Sequence, residues 1–263
     1  MYKFLISIFF IFLIISKPSY ANNNSFISIS PTITEIIYSI DTQDQLKGVT
    51  TQCNFPEEAK QKPIIGDYYY INEQMLLDIK PNYILADDLS AFIAKKYKKY
   101  NIEPICLKFT NINSIYENIL FLGKLTNKEE NSINVVTDIK NKVKKAKSLN
   151  KHPNKKVLYI ISTKPFRTIG KNSFITNIIT ESGNISITSE LNTSYPIISL
   201  EYAINKNPDI IILDYHCNKN ENISKLFPNS RIIKMTKQQS DIIDRPSPRF
   251  YKSIEFFAQL GEN

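Results

Sequence analysis

Two short segments carry side chains suited to gripping a small molecule. Tyr68-Tyr69-Tyr70 offers three aromatic rings in succession on a loop after a strand, and Asp241-Ile-Ile-Asp244-Arg245-Pro246-Ser-Pro248-Arg249 gathers carboxylates, guanidinium groups and two prolines ahead of the last apolar stretch. A tyrosine ring is an apolar wall whose hydroxyl can reach amides, so the triplet suits a ligand surface. The alternative is that alternate rings of the run pack into the protein. Arginine presents a planar fork of donors for amide or carboxylate oxygens, and aspartate accepts from amide N–H groups. Asp241, Asp244 and Arg245 equally suit a structural ion pair that fixes the turn. Pro246 and Pro248 stiffen the loop in either case.

Catalytic signatures are missing. There is no Gly-x-Ser-x-Gly, no P-loop and no Gly-x-Gly-x-x-Gly, and six glycines in the whole chain leave little for a phosphate-cradling loop. The acid pairs Glu57-Glu58 and Asp87-Asp88 are sequence neighbours, not opposed carboxylates. His216-Cys217 lacks the further ligands of a zinc pattern and reads as the end of a buried strand. Cys53, Cys106 and Cys217 are an odd, widely spaced set that describes no disulfide framework; whether Cys53 and Cys106 are bridged stays open. The expectation is a binder, not an enzyme, with no metal site and no cofactor of its own.

The elements that must position these residues alternate between strand and helix. Ile27-Ser28-Ile29, Leu46–Thr50, Tyr83–Ala86 and Ile105–Phe109 read as strands in the first half, with helices opening at Ser30-Pro31 (or at a Thr32-x-x-Glu35 capping box), over Asn72–Ile79 and over Phe92–Tyr100. In the second half Val157–Ser162, Ile210–Asp214 and Arg231–Met235 read as strands, and Phe174–Ser182, Leu200–Asn205 and Arg249–Leu260 as helices. Short apolar runs separated by helices argue for parallel sheets. Asn72–Ala86 and Ser199–Leu213 share one plan: a short acidic helix, a proline stop and a buried strand. Between the halves, 127–150 contains neither Gly nor Pro, and Ile133, Val136, Ile139, Val143 and Ala146 form one helical stripe. At ~1.5 Å per residue such a helix spans roughly 35 Å. The predicted fold is therefore α/β: two similar lobes with mostly parallel sheets, 22–126 and 151–263, joined by one long rigid helix, 127–150, with a ligand cleft between the lobes.

The first residues bear on compartment. Lys3, an apolar run from Phe4 to Ile15, and Ser19-Tyr20-Ala21 have the layout of a cleavable secretory signal over residues 1–21. A retained membrane anchor is the rival, but the run is shorter than the ~20 residues a spanning helix needs. No cysteine lies at or just after the predicted cut, so the expectation is a soluble periplasmic protein without a lipid anchor. Of the formal charge of +8, Lys3 and Lys17 account for two, and the clusters Lys95–Lys99 and Lys140–Lys147 read as solvated helix faces. No nucleic-acid partner is expected, and the chain is expected to be a monomer.

These pieces together resemble a family. Ile27-Ser-Ile-Ser-Pro-Thr-Ile-Thr-Glu35, Gly48-Val-Thr-Thr-Gln-Cys-Asn-Phe-Pro56, Gly66-Asp-Tyr, Ile79-Lys-Pro-Asn-Tyr-Ile-Leu-Ala86, Ser199-Leu-Glu201, Asn207-Pro-Asp-Ile-Ile-Ile212 and Asp241–Arg249 stand in the order found in periplasmic binding proteins whose lobes are joined by a single helix. Such proteins deliver cobalamin, ferric siderophores or haem to an ABC permease and its ATPase subunits. Lys164–Ser173, Ser194-Tyr-Pro196 and Asp241–Arg249 look most like the corrin-lining segments of the cobalamin-binding branch. The resemblance implies ligand contacts at Pro31, Gln52, Tyr68, Phe166, Tyr195, Asp241 and Arg245, with tyrosines at 68 and 195 where that branch commonly has tryptophan. It also implies permease docking by Glu201 on one lobe and, on the other, by Gln74 or its neighbour Glu73. A corrinoid is the expected ligand; haem or a ferric siderophore is the alternative.

Overall fold

A computed structural model describes residues 24–67, 69–217 and 223–262; the predicted signal segment and Tyr68 lie outside the described residues. The first half comprises β1 (Phe26–Ser28), α1 (Pro31–Ser39), β2 (Leu46–Thr50), β3 (Ile64–Gly66), α2 (Glu73–Ile79), β4 (Tyr83–Ala86), α3 (Ala91–Lys95), β5 (Glu103–Cys106), α4 (Ile112–Leu125) and α5 (Glu129–Lys147). The second comprises β6 (Lys156–Thr163), β7 (Phe166–Thr168), α6 (Phe174–Glu181), β8 (Ile185–Ser186), α7 (Leu200–Asn205), β9 (Ile210–Leu213), α8 (Ile223–Leu226), β10 (Arg231–Lys234), α9 (Lys237–Ile243) and α10 (Tyr251–Ala258). The first sheet is wholly parallel, in the order β3-β2-β1-β4-β5. The second runs β10-β9-β6-β7, and β8 pairs with the start of β6; only the β6–β7 pairing is antiparallel.

Strand side chains alternate between two apolar clusters, as a pleat with period two requires. Phe26, Leu85, Val157, Tyr159, Ile210 and Ile212 enter one large core that runs through both lobes. Their neighbours Ile27, Ile84 and Ala86 enter a cluster private to the first lobe, and Leu158, Ile160, Ile211 and Leu213 enter one private to the second. Both faces of each sheet are thus covered, which is why these strands read as unbroken apolar runs.

Local side-chain chemistry starts the helices. Ser30 Oγ accepts from the Ile33 N–H at 3.4 Å with Pro31 at the first turn; Asn72 Oδ1 accepts from Met75 N–H at 3.1 Å; Ser199 Oγ accepts from Tyr202 N–H at 3.0 Å. The capping box offered by Thr32 and Glu35 is not used, because both lie inside α1. The repeated plan is borne out: Lys80 and Asn207 both adopt the left-handed conformation, with φ of 48° and 46°, ahead of Pro81 and Pro208. Each stop feeds a strand, β4 or β9, that pairs with the first strand of its lobe.

The connection between lobes differs from the sequence expectation. Helix α5 is 19 residues long, about 28 Å at ~1.5 Å per residue, and α4 lies beside it. Ser132, not Ile133, begins its buried stripe, and Ile133 is 55% exposed. The reason is close approach: a Cβ on Gly123 of α4 would meet Ser132 Oγ at 2.2 Å, so only small groups fit where the helices cross. Helix α4 went unread although Asn111 and Ser114 form a capping box at its start. Strand β5 begins two residues earlier than expected, in register with β4 from Tyr83↔Glu103 onward, and Phe109 packs into the core. Asp241 lies in α9, capped by Thr236 and Gln239, and not on a loop.

Phe250 is fully buried, with ring centroids 6.0 Å from Tyr116 of α4 and 6.3 Å from Phe174 of α6. Phe250→Ala should lower unfolding free energy by about 3–5 kcal/mol in urea titration. Ile133→Ala should stay within about 0.5 kcal/mol of the parent.

Candidate functional site

In each lobe the carboxyl ends of the parallel strands release the loops that carry polar side chains, the usual place for a site in such sheets. The β2 loop meets the α9–α10 loop across the lobe junction. Arg245 Nη1 donates to Asn54 Oδ1 at 2.7 Å and to Glu35 Oε1 at 3.2 Å, and its Nη2 to Asp241 Oδ1 at 3.2 Å and the Gln52 carbonyl at 3.4 Å. Arg249 grips the same Glu35 with two parallel bonds, Nε to Oε2 at 2.7 Å and Nη2 to Oε1 at 2.6 Å. Its guanidinium carbon lies 3.6 Å from the centroid of the Phe55 ring. The Glu35 side chain is only 2% exposed. A carboxylate so buried is tolerable only with its charge paired and its lone pairs occupied, and here two arginines of the other lobe do both.

A second polar cluster lies under the second lobe's strand ends. Tyr159 Oη stands 2.9 Å from Asp214 Oδ2 and 3.0 Å from Asp244 Oδ1. Asp214 also accepts from Ser240 Oγ at 3.1 Å and from the His216 N–H at 2.7 Å. Burial, then the neighbouring Asp214 charge, pushes the Asp244 carboxyl up to about 8, and burial with both carboxylates pushes Tyr159 well above its ordinary value. The Asp244 carboxyl is therefore protonated at pH 7.

The residues expected at the ligand edge are placed as follows. Tyr195 is 48% exposed, and its hydroxyl is pushed up by partial burial and by the charges of Asp244 in one lobe and Asp88 in the other, so it sits between the lobes. Arg167 Nη1 donates to the Tyr195 carbonyl at 3.4 Å. Gln52 Oε1 is a buried acceptor with no partner among the described residues. Pro31 is buried in the first turn of α1, behind Ser30, whose hydroxyl donates to Asp87 Oδ2 at 2.6 Å. Phe166 packs on the second lobe's own cluster. Tyr69 and Tyr70 are exposed, their N–H groups both held by Asp67 Oδ1, and they border a surface cavity of about 420 Å³ that also touches Glu73 and Gln74.

Glu201 and Gln74 occupy matching second positions of α7 and α2, both exposed; Glu73 stands one position earlier and accepts from Tyr100 Oη at 3.1 Å. Cys53, Cys106 and Cys217 are all free thiols. Burial pushes the Cys53 thiol up. Among the described residues no three His, Cys, Asp or Glu side chains gather to hold a metal ion, and no helix is long and apolar enough to cross a membrane. Sequence reasoning missed Glu35, Asn54, Tyr159 and Asp214 as site residues. The last had a readable signal, an acid at the end of an apolar strand.

The fold and junction belong to a known type. The chain belongs to the periplasmic binding protein family, whose model matches residues 27–239. It is 28% identical over 163 residues, 58% of this chain, to an uncharacterised ABC transporter substrate-binding lipoprotein of Bacillus subtilis, of which the match spans about half (52%). It is 26% identical over 190 residues, 70% of this chain and 69% of the relative, to a vitamin B12-binding protein of Vibrio campbellii. Among solved structures, the vitamin B12 binding protein BtuF of Vibrio cholerae superposes with a TM-score of 0.75 at 19% identity, covering 91% of this chain and 98% of that one. The haem binding protein HutB of the same species gives 0.77 at 15%, covering 90% and 98%. These two likenesses establish the two-lobed fold.

Asp244 keeps its proton in the folded chain up to about pH 8, whereas an unfolded aspartate releases it near ~4. Folding therefore binds a proton between these values, and this group's contribution to stability falls as pH rises from about 4 to about 8. Thermal melts at steps across that range should show the stability advantage of the parent over Asp244→Asn shrinking as pH rises.

Proposed function

We propose that this chain is the extracytoplasmic binding component of an ABC importer, and that it holds cobalamin or a related corrinoid between its lobes. The observation that carries the reading is Tyr195, a half-exposed ring within electrostatic reach of carboxylates of both lobes. A corrinoid is a broad, partly apolar ring fringed with amides, and it needs an aromatic wall with a few hydrogen-bonding groups at the edge. Tyr195 supplies the wall from the described residues, and Tyr68, Phe166 and Pro31 are the further contacts that the corrinoid reading calls on. Gln52 Oε1 and Asp241 are acceptors for amide N–H groups, and the Gln52 oxygen is still unpartnered. Arg245 lies along the same edge, but its two terminal nitrogens already donate to Glu35, Asn54, Asp241 and the Gln52 carbonyl. The likeness to vitamin B12-binding relatives supports the same ligand. No catalytic step is assigned. Haem is the second reading, favoured by the exposed tyrosine hydroxyls, which can serve as axial ligands.

Delivery to a permease rests on Glu201, with Glu73 standing in on the other lobe for the acid that Gln74 lacks. The matching exposed positions on α7 and α2 support a two-point dock, and the protein works outside the cytoplasm as a monomer.

Calorimetric titration of residues 22–263 with cyanocobalamin should give one-to-one binding, and Tyr195→Ala should weaken it by about tenfold, the loss of one partly buried ring. Heat with haemin alone would replace the corrinoid. Glu201→Arg should abolish uptake in cells while leaving the titration unchanged; loss of both would overturn the docking role.

A further inference from the structure

The chain has four arginines, Arg167, Arg231, Arg245 and Arg249, and their partners decide what charge the junction can accept. Arg231 Nη1 donates to the Leu260 carbonyl at 3.0 Å, at the amino end of β10 and away from the strand ends that carry the site. Arg167 is turned to the Tyr195 carbonyl. Arg245 and Arg249 reach the lobe junction from the second lobe, and both are bonded to Glu35 of the first, Arg245 also to Asp241. Two guanidinium charges thus meet two carboxylate charges. The surroundings add negative charge: Asp87 and Asp88 follow β4, and Asp214 follows β9. Lys95 is the cation that acts with Asp87 and Asp88 around Cys106.

An anionic chelate entering such a junction would find the guanidinium groups of Arg245 and Arg249 already paired with carboxylates, and Arg167, bonded to a carbonyl, without one among the described residues. Its charge would be desolvated beside carboxylates, a costly arrangement. An amide-fringed ligand meets no such penalty, because each amide asks for a donor or acceptor and no net charge. We propose that Glu35 is a positioning residue that sets ligand class: by holding Arg245 and Arg249 it withholds two guanidinium charges from anionic chelates and biases the site toward a neutral or cationic ligand. The proposal deepens the binding-protein reading above and rests on the junction being the ligand site.

The test uses two ligand pairs, each matched in shape and different in charge, titrated into the parent chain and into Glu35→Gln. The first pair is cyanocobalamin and its monocarboxylic acid, in which one side-chain amide has been hydrolysed. The second is a cationic ferric trihydroxamate and a trianionic ferric tricatecholate. In the pair that binds, the parent should prefer the less negative member by about tenfold or more, an effect that weakens with added salt. Glu35→Gln should narrow or invert that preference; a purely structural loss would weaken both members alike and would sink the proposal. Because Glu35 is buried, the variant can be lost to misfolding, and the parent's own charge preference then decides. Equal affinity for cyanocobalamin and its acid overturns the role of Glu35 and leaves the corrinoid reading standing. Preference for the trihydroxamate with no corrinoid binding does the reverse.

Discussion

Glu35 lies 210 and 214 residues from the arginines that hold it, and these bonds tie the first lobe to the second. Its side chain is almost wholly out of water, so separating the lobes at this point would leave Glu35 without either of its cationic partners and Arg249 without its carboxylate. Breaking a buried pair by removing one partner is far more costly than its net worth in the intact fold. The pair is best understood as a registry device: it admits one relative placement of α1 and the α9–α10 loop. Asn54, Gln52 and Asp241 complete the arrangement by taking the remaining donors of Arg245.

The apolar packing has the same tendency. One core passes from β1 and α1 through α4 and α5 to α10 and on into β6 and β9, while each lobe keeps a smaller cluster on the outer face of its sheet. Two lobes that share their largest core cannot move as independent bodies without exposing it. The hairpin of α4 and α5, tight at Gly123 and Ser132, supports a rigid seam in place of a flexible tether. A site built on such a seam is largely formed before its ligand arrives, which reduces the ordering cost of binding.

What could be read from the chain was what depends on near neighbours. Ser30, Asn72 and Ser199 each bond to the N–H group three residues on, so the helix starts are local, and the Pro81 and Pro208 stops mark the repeat. The mostly parallel sheets followed from short apolar runs separated by helices. The start of β5 was not readable, because it is set by pairing with Tyr83 and not by its own residues. Ile133 was misassigned because a stripe at three- and four-residue steps tolerates a one-residue rotation, and only the crossing at Gly123 selects Ser132. Asp241 was placed on a loop although Thr236 and Gln239 signal a helix start three residues apart. Glu35 had the clearest long-range role and the least local signal, since a glutamate in a first helix looks like any solvated acid until its partners fold onto it.

Asp244 and Arg245 are consecutive residues whose side chains are anchored on different bodies, one on Tyr159 under the second lobe and the next on Glu35 of the first. The peptide unit between them acts as an axle pinned at both ends, with Pro246 fixing the torsion that follows. Consecutive side chains therefore tie a single short stretch of backbone to both lobes, so the α9–α10 loop carries a covalent link between two polar clusters.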